Sequence, residues 1–380
     1  MTPSIARMLD ANFNRAREAL RVMEDCARFD LDDRLLVDRT KRLRHELAEA
    51  IRAHHLEDVV RARDILGDVG REAQTDAEYE RPDLRSVTVA AGKRLTEALR
   101  VIEEAGKTFD ARFARAVEQI RYRAYEIERQ LGIRFQARQR FGQVRLYVLI
   151  TESLCRADWL DTARAALAGG ADCLQLREKN LPDAVLVERG RQLAAMCREA
   201  GALCIINDRP DVAVAAGADG VHVGQEDLSI ADARRVVGPD RLVGVSTHTL
   251  EQFEAAAAQS PDYIAVGPMF ATGTKPQHHI PGPELLPEAL TRTSLPVVAI
   301  GGITADNVQA VTETGCNCVC VCQAVVSQAD PAVSARNMRA VGGRSQGERI
   351  SPGGAAVSSQ GRKPLGTDAG SPGSPGRATG

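Results

Sequence analysis

From Gln143 onward, short apolar runs alternate with alanine-rich helical stretches, and this alternation restricts the possible folds more than any other feature. Such a pattern is typical of βαβ units around a parallel sheet. Eight runs occur, each followed by a helical pattern: Val144–Ile150, Cys173–Leu176, Ala202–Ile206, Gly220–Val223, Arg241–Val245, Tyr263–Val266, Pro296–Ile300 and Cys318–Cys322. Eight units within about 200 residues predict an α/β fold, the (β/α)8 TIM barrel. An open doubly wound sheet is the structural alternative, but it usually has fewer strands.

Residues 1–138 predict an all-α module, because apolar residues recur there at three- and four-residue spacing. The string EALRVMED at Glu18–Asp25 recurs as EALRVIEE at Glu97–Glu104, and an arginine-rich helical stretch follows each copy. This repeat predicts a duplicated helical hairpin. Between the copies, the glycines and aspartates of Arg63–Gly70 predict an ordered loop.

Three segments are therefore expected: the helical module at 1–138, the barrel at 143–340 and a tail at 341–380. The tail is rich in Gly, Ser, Pro and Arg and lacks apolar periodicity, so we predict that it is disordered.

Composition excludes several classes of function. The formal net charge of the 380-residue chain is only -2, so no global field favours nucleic acid or an anionic membrane. Nine cysteines, an odd number, and a start without a leader-like segment favour reduced thiols in the cytoplasm. No apolar run approaches the roughly 20 residues that span a bilayer, which predicts a soluble protein. The oligomeric state stays open, a homo-oligomer included.

Most polar clusters of the predicted barrel come directly after an apolar run. The carboxyl ends of barrel strands form one rim, and active sites of this fold lie there. After the second run, Gln175, Arg177 and Lys179 alternate, so on a strand they share a face and can converge on one anion. An exposed, charged strand end is the alternative interpretation.

Carboxylates follow the next two runs. Asp208 comes after Asn207 at the third run, and Asp227 ends the string HVGQED at the fourth. Because Mg2+ takes one or two protein carboxylates together with phosphate oxygens and water, this pair predicts a magnesium site. Each Asp alone could be a helix N-cap. His222 lies between two valines and is expected to point into the barrel, where a lone histidine is more often a satisfied core residue than a catalyst.

The later loops carry hydroxyls and glycines. GVSTH at Gly244–His248 and GPMFATGTK at Gly267–Lys275 offer hydroxyls, backbone N–H groups and one lysine, which together predict an oxyanion cradle. A flexible loop is the alternative for Gly273. GGIT at Gly301–Thr304 and Gln323 after the eighth run are expected to open helices and to form the usual phosphate site of the fold.

Four cysteines alternate near the eighth run: Cys316, Cys318, Cys320 and Cys322. On a strand all four would face one way, too extended for a single tetrahedral zinc ion. We therefore interpret them as small buried apolar residues.

The strings QLREK, ND, GVHVGQED, GVSTHT, GPMFATGTK and GGIT occur in this order at predicted strand ends, and with them the barrel resembles thiamine phosphate synthase from about Val144 to Arg339. The resemblance implies a Mg2+-dependent transferase. Its expected substrates are 4-amino-2-methyl-5-hydroxymethylpyrimidine diphosphate and 4-methyl-5-(2-phosphoethyl)thiazole, or the carboxylated form of the thiazole. The expected products are thiamine phosphate and diphosphate.

The resemblance also implies a role for each motif residue. Arg177, Lys179, Asn207 and Lys275 would hold the diphosphate, Asp208 and Asp227 would bind Mg2+, Gln175, His222 and Ser246 would line the pyrimidine pocket, and Thr272, Thr274, Gly302 and Gln323 would hold the thiazole phosphate. Catalysis is expected from Arg177, Lys179, Lys275 and Ser246. The chain departs from the family pattern at Gln323, where Ser is common, and at Arg209, where an acidic residue is frequent.

The helical segment resembles a module that is fused to such synthases in some bacteria, with EALRVMED and RDILGDVG as its marks. That resemblance implies a kinase for hydroxymethylpyrimidine phosphate, although the sequence has no P-loop and no kinase glycine-rich loop. Its candidate residues are Asn12, Arg15, Glu18, Arg21, Asp64, Asp68 and Arg100. A salt-bridged docking or dimerising bundle explains them equally well.

Two other functions stay open for the barrel. A thiazole tautomerase-like barrel would bind no diphosphate and would not need the set Arg177, Lys179, Asp208, Asp227 and Lys275. A non-catalytic sensor would bind thiamine phosphates without turnover. The presence of the whole set favours the synthase.

Overall fold

The computed structural model describes residues 1–63, 81–272 and 280–342, with the side chains of residues 341 and 342 left out. The predicted loop after Arg63 and nearly all of the predicted disordered tail lie outside these residues. No helix within the described ranges combines the length and the apolar character that crossing a membrane requires.

The amino-terminal part is all-α, as predicted. Its helices are α1 (Pro3–Phe29), α2 (Arg34–Ala53), α3 (Leu84–Gly106) and α4 (Ala111–Gly142), with a 3-10 turn at Glu57–Ala62. The two repeat strings lie in α1 and α3, and α2 and α4 follow them. Leu20, Met23, Leu99 and Ile102, the apolar positions of the repeats, are fully buried in one core. The duplication thus reflects two hairpins that bury equivalent faces.

The second part is a closed barrel of eight parallel strands in sequential order. The strands are β1 (Leu146–Ile150), β2 (Cys173–Leu176), β3 (Leu203–Asn207), β4 (Gly220–Val223), β5 (Leu242–Thr247), β6 (Tyr263–Val266), β7 (Val297–Ile300) and β8 (Val319–Val321). Leu146 of β1 pairs with Val319 of β8, which closes the ring and excludes an open sheet. The predicted (β/α)8 fold is confirmed.

Helices follow every strand of the barrel. They are α5 (Trp159–Ala168), α6 (Asp183–Glu199), α7 (Pro210–Ala216), α8 (Ile230–Val237), α9 (Leu250–Ala257), α10 (Leu285–Arg292), α11 (Val308–Thr312), α12 (Gln323–Val326) and α13 (Pro331–Gly342). Strand residues of one parity pack outward against them, as Val148 and Val243 do. Residues of the other parity, such as Ile205 and Val298, fill the barrel interior. This alternation is what a two-residue strand period dictates.

The last turn of α4 enters the barrel core. Phe141 is 1% exposed and belongs to the same interior cluster as Tyr147 and Tyr263. The described residues up to Gly342 belong to one compact unit, so the helices and the barrel are packed together. Helix α4 ends at Gly142, and the division into domains at 138 and 143 stays a prediction.

The cysteine prediction needs one correction. Cys318 and Cys320 lie in the barrel interior, but Cys316 packs into the outer core between strands and helices. The four cysteines do not all face one way, because β8 spans only Val319–Val321 and Cys316 precedes the strand. All nine cysteines are free thiols, and among the described residues no cluster of three or more metal-ligating side chains occurs.

Candidate active site

Side chains from β2, β3, β4 and β5 meet at the carboxyl-terminal part of the barrel. Gln175 and His222 point inward and are 2% and 5% exposed. Asn207 is the last residue of β3, and Ser246 lies near the end of β5. The inward orientation of His222 agrees with the prediction, since both neighbouring valines pack in the outer core.

Two carboxylates and a lysine form the first cluster on the rim. Lys179 Nζ lies 3.6 Å from Asp208 Oδ2, and Asn207 Nδ2 donates a 2.5 Å hydrogen bond to the same oxygen. Burial and the contact with Asp227 raise the pKa of Asp208, while Lys179 opposes the shift. Asp227 in turn accepts a 2.8 Å hydrogen bond from the Gly224 N–H. Residues from three separate loops therefore meet at the Asp208 carboxylate.

Asp208 adopts an uncommon backbone conformation. Its φ of 61° lies in the left-handed region, which few residues other than glycine adopt, although Asp tolerates it better than most. Its N–H donates a 2.8 Å hydrogen bond to the His222 carbonyl on the neighbouring strand. This bond fixes the turn that directs the Asp208 carboxylate toward Lys179 and Asp227.

A hydrogen-bonded chain crosses the barrel beneath this cluster. Gln175 Nε2 donates to Tyr147 Oη at 2.5 Å, and Tyr147 Oη lies 3.1 Å from Tyr263 Oη. Tyr263 Oη lies 3.0 Å from His222 Nδ1, and His222 Nε2 lies 2.8 Å from Ser246 Oγ. The three predicted pyrimidine-pocket residues thus belong to one connected network.

Burial sets the protonation state of this network. Desolvation lowers the pKa of His222 from 6.5 to about 4, although the Asp227 charge opposes the shift. Desolvation raises the pKa values of Tyr147 and Tyr263 well above 10. At neutral pH the imidazole is therefore uncharged and both tyrosines keep their protons.

Tyr147 and Tyr263 were not identified as site residues from the sequence. Each lies in an apolar run, where an aromatic residue is usually read as core. The two-residue strand period places both side chains in the barrel interior. The sequence pattern does not show that a glycine on the neighbouring strand makes room for Tyr263. A Cβ at Gly244, which pairs with Tyr263 across β5 and β6, would lie 2.0 Å from the Tyr263 ring.

Arg177 lies beyond the end of β2, and the predicted strand face does not extend to it. Its N–H donates a 2.9 Å hydrogen bond to the Ile150 carbonyl at the end of β1. Burial raises the pKa of the Cys322 thiol to about 12, and the nearby Arg177 charge opposes this shift. Arg177 thus lies near Cys322 at the end of β8, whereas Lys179 contacts Asp208, which follows β3.

The loops after β6 and β7 are interlocked. Met269 N–H donates a 3.0 Å hydrogen bond to the Ile300 carbonyl, and Phe270 N–H donates one of the same length to the Gly301 carbonyl. Gly302 has a φ of 68°, and a Cβ there would lie 2.5 Å from the Phe270 carbonyl oxygen. This close approach requires glycine. Thr272 lies at the end of the described part of the loop, and Thr274 and Lys275 lie outside the described residues.

The GGIT string does not open a helix, contrary to the prediction. Helix α11 begins only at Val308, because Gly301 and Gly302 both adopt positive φ and turn the chain. The Asn307 side chain braces this turn, accepting from the Thr304 N–H at 2.8 Å and donating to the Gly302 carbonyl at 2.9 Å. Gln323 does begin α12, and its side chain is exposed.

The candidate residues of the helical part are not brought into one polar cluster by the described contacts. Asn12 is buried and donates to the Met8 carbonyl of its own helix at 2.8 Å. Arg100 forms ion pairs of 2.9 and 2.8 Å with Glu103 and Glu104. The exposed residues are Arg15, Glu18 and Arg21, and Asp64 and Asp68 lie outside the described residues. The salt-bridged bundle and the kinase site both stay open.

The closed barrel, with polar side chains gathered at the carboxyl ends of its strands, defines the class of (β/α)8-barrel enzymes. A family model described as thiamine monophosphate synthase matches residues 146–325, and a ThiD2 family model matches residues 7–130.

Whole-chain relatives give the same result. A thiamine-phosphate synthase of Rhodopirellula baltica is 43% identical over 89% of this chain and 92% of the relative. One of Synechocystis sp. is 40% identical over 86% of this chain and 93% of the relative. A solved thiamine phosphate pyrophosphorylase from Pyrococcus furiosus matches 54% of this chain and 97% of its own, with 34% identity and a TM-score of 0.50. The chain belongs to the thiamine-phosphate synthase family, which is a family of enzymes.

Proposed function

We propose that this chain condenses 4-amino-2-methyl-5-hydroxymethylpyrimidine diphosphate with 4-methyl-5-(2-phosphoethyl)thiazole to give thiamine phosphate and diphosphate. The carboxylated form of the thiazole would give the same two products together with carbon dioxide. The observation that carries the proposal is the convergence of Lys179, Asp208 and Asp227 above the buried network of Gln175, His222 and Ser246. A cationic and metal-binding rim suits the diphosphate, and the uncharged network below it suits a heterocycle.

The reaction needs no nucleophile from the protein. The C–O bond to the diphosphate breaks, the diphosphate leaves with the bonding electron pair, and a pyrimidinylmethyl cation remains. With the uncarboxylated thiazole, the lone pair of the ring nitrogen then forms the new C–N bond, and no proton is transferred. Arg177 and Lys179, with Lys275 assigned by the family resemblance, would stabilise the leaving charge. Asn207 would orient the same group as a hydrogen-bond donor.

The residues present fit a magnesium ion. Burial and the neighbouring Asp227 raise the pKa of Asp208, as expected for two carboxylates placed to share a cation. Asp208 and Asp227 would hold the ion. Its charge, when bound, would stabilise the diphosphate oxygens during departure. Two protein carboxylates suffice because Mg2+ usually takes its remaining ligands from phosphate and water.

The thiazole phosphate would bind where the β6 and β7 loops interlock. Gly302 and Thr272 lie in these loops, Thr274 and Gln323 are assigned by the resemblance, and backbone N–H groups can hold phosphate without a particular side chain. Holding both substrates on one rim would supply the entropic part of the rate enhancement.

The test is a direct assay of the purified full chain with both phosphorylated heterocycles and Mg2+, following thiamine phosphate and diphosphate. Product is expected only when the metal and both substrates are present. Binding of thiamine phosphate without turnover would favour the sensor. Conversion of a thiazole tautomer without use of the pyrimidine diphosphate would favour the tautomerase-like barrel.

For the helical part we propose a hydroxymethylpyrimidine phosphate kinase, supported by the ThiD2 family match over residues 7–130. Supplying the full chain with the pyrimidine monophosphate, ATP, the thiazole phosphate and Mg2+ should then yield thiamine phosphate. Product from the diphosphate but none from the monophosphate and ATP would leave the helical part as a structural bundle.

A further inference from the structure

The hydrogen-bonded chain beneath the rim has a direction. Tyr147 Oη accepts from the Gln175 amide, so its own hydrogen is available for Tyr263 Oη, 3.1 Å away. Tyr263 then has its hydrogen available for His222 Nδ1 at 3.0 Å. With Nδ1 as the acceptor, a neutral imidazole carries its hydrogen on Nε2 and donates it to Ser246 Oγ at 2.8 Å.

This direction has a consequence for Ser246. A hydroxyl that accepts from His222 keeps its own hydrogen for another partner. In the reverse direction Ser246 would donate to His222 and could offer the pocket only an acceptor. The identity of the His222 tautomer therefore decides whether the serine acts as a donor or as an acceptor toward the heterocycle.

A residue outside the barrel holds this chain in place. The Phe141 ring, at the end of α4, stacks on the Tyr263 ring at a centroid distance of 3.9 Å and an angle of 9°. It also meets the Tyr147 ring edge-on at 6.3 Å and 79°. On β5, Gly244 leaves the Tyr263 ring the space that a Cβ would occupy. Tyr263 is thus clamped between a helix of the amino-terminal part and a strand of the barrel.

We propose that Phe141 and Tyr263 are positioning residues that fix His222 as the Nε2–H tautomer, so that Ser246 presents a hydrogen-bond donor to a ring nitrogen of the pyrimidine substrate. The inference rests on the proposed function for the identity of the substrate. The tautomer itself is a property of the free protein. The helical part thereby contributes to the barrel site through the last turn of α4.

The first experiment is independent of activity. In the full chain labelled with 15N-histidine, long-range 1H–15N correlation spectra at neutral pH distinguish the two neutral tautomers of each imidazole. His222→Asn assigns the signal, and Ser246→Ala assigns it by its shift if the first variant does not fold. The Nε2–H tautomer is expected for His222 in the wild type. An Nδ1–H tautomer would overturn the proposal, even in a fully active enzyme.

The second experiment separates positioning from stability. Tyr263→Phe keeps the stacked ring but removes the hydroxyl, so both tautomers of His222 should appear. The KM for the pyrimidine diphosphate should rise by about fivefold or more, and the KM for the thiazole phosphate should stay unchanged. A single unchanged tautomer in this variant would contradict the proposal.

Phe141→Leu tests the clamp, and Phe135→Leu is its matched control. Both phenylalanines are buried on α4, but Phe135 packs in the helical core. Both variants should lower the melting temperature, and only Phe141→Leu should alter the His222 signals and the pyrimidine KM. If both variants changed the His222 signals equally, Phe141 would be a packing residue and not a positioning residue. A wild type without synthase activity would refute the proposed function and leave the tautomer result to decide this inference.

Discussion

Asp208 combines features that separate it from the other surface carboxylates. It is partly buried, adopts a positive φ and lies within 3.6 Å of Lys179, with Asp227 beside it. Other described carboxylates of the barrel surface have ordinary structural roles, since Asp158 caps α5 and Asp232 pairs with the exposed Arg235. The crowding of negative charge at Asp208 supports the magnesium site proposed above.

We predict that Asp208→Asn lowers the turnover of thiamine phosphate formation by roughly tenfold or more at saturating Mg2+, because one of the two carboxylates proposed to hold the metal loses its charge. Steady-state kinetics with a parallel thermal melt would show this. Asp211→Asn, which removes the exposed partner of Arg209, is the control and should retain nearly full turnover. Equal rates for the two variants would remove Asp208 from the metal site.

His222 predicts a specific pH dependence of stability. Its pKa falls from 6.5 to about 4 on burial, so between these values the unfolded chain binds more protons than the folded one. Stability therefore falls as the pH drops through this window, by up to about 3 kcal/mol for one fully buried imidazole. Urea unfolding at pH 7, 5.5 and 4.5 should show a flatter dependence in His222→Gln. His55→Gln, which removes an exposed imidazole, is the control, and an equal slope in wild type and His222→Gln would contradict the prediction.

At the scale of elements, α4 and the barrel share a buried ion cluster. Arg134 donates to Asp33 at 2.9 Å and also pairs with Asp262, which pairs with Arg234 as well. Burial alone would raise the pKa of Asp262, but the two arginines hold it below its ordinary value. The carboxylate stays charged at 2% exposure because its cations are buried with it.

We predict that Arg134→Met destabilises the protein by about 3–5 kcal/mol, because Asp262 would keep only one of its two cations in a buried setting. Equilibrium unfolding in urea measures the loss. Arg129→Met on the same helix removes an exposed pair with Asp240 and should cost less than about 1 kcal/mol. Similar losses in the two variants would show that the cluster is not what fixes α4 to the barrel.

The β6 and β7 loops depend on Gly302. Gly302→Ala should cost about 1–3 kcal/mol for the positive φ and the approach to the Phe270 carbonyl. It should also raise the KM for the thiazole phosphate by roughly fivefold or more, because the loops must separate. Gly217→Ala has nearly the same φ, 69°, but meets nothing within 4 Å, so it is the matched control for the backbone cost. An unchanged KM in Gly302→Ala would place the thiazole phosphate elsewhere.

The elements that were predicted well are those with long, regular patterns. The runs at β2, β4 and β6 match the strands residue for residue, and both repeat strings lie in helices. The prediction of a helix at GGIT was wrong because the two glycines adopt positive φ and turn the chain, and α11 begins only at Val308. The expectation that Cys316 faces the same way as Cys318 and Cys320 was wrong because strand parity holds only as far as the strand extends.

The part of the site made of polar residues that follow strand ends was predictable from the sequence. The part that depends on side-chain packing between distant segments was not. Lys179, Asp208 and Asp227 were expected to meet because each follows a strand end. The clamp on Tyr263 was not foreseen, because it needs a helix end, a glycine on β5 and a tyrosine on β6 together. No periodic pattern in the sequence predicts the contact between Phe141 and Tyr263.

At the scale of the whole molecule, the helical part and the barrel should unfold together. The described residues up to Gly342 belong to one compact unit, and α4 supplies Phe141 to the barrel interior. Trp159, the single tryptophan of the chain, reports on the barrel, whereas far-ultraviolet circular dichroism reports on all helices. We predict coincident urea midpoints for the two signals. Two separated transitions would show that the shared core does not couple the parts.

Phe141 also limits the route by which substrates and products can reach the barrel site. The Phe141 ring packs among Tyr147, Tyr263 and Val144 and closes the amino-terminal end of the barrel. The barrel is open only at its carboxyl-terminal end, so every substrate must enter and every product must leave there. Both substrates and both products therefore share one opening.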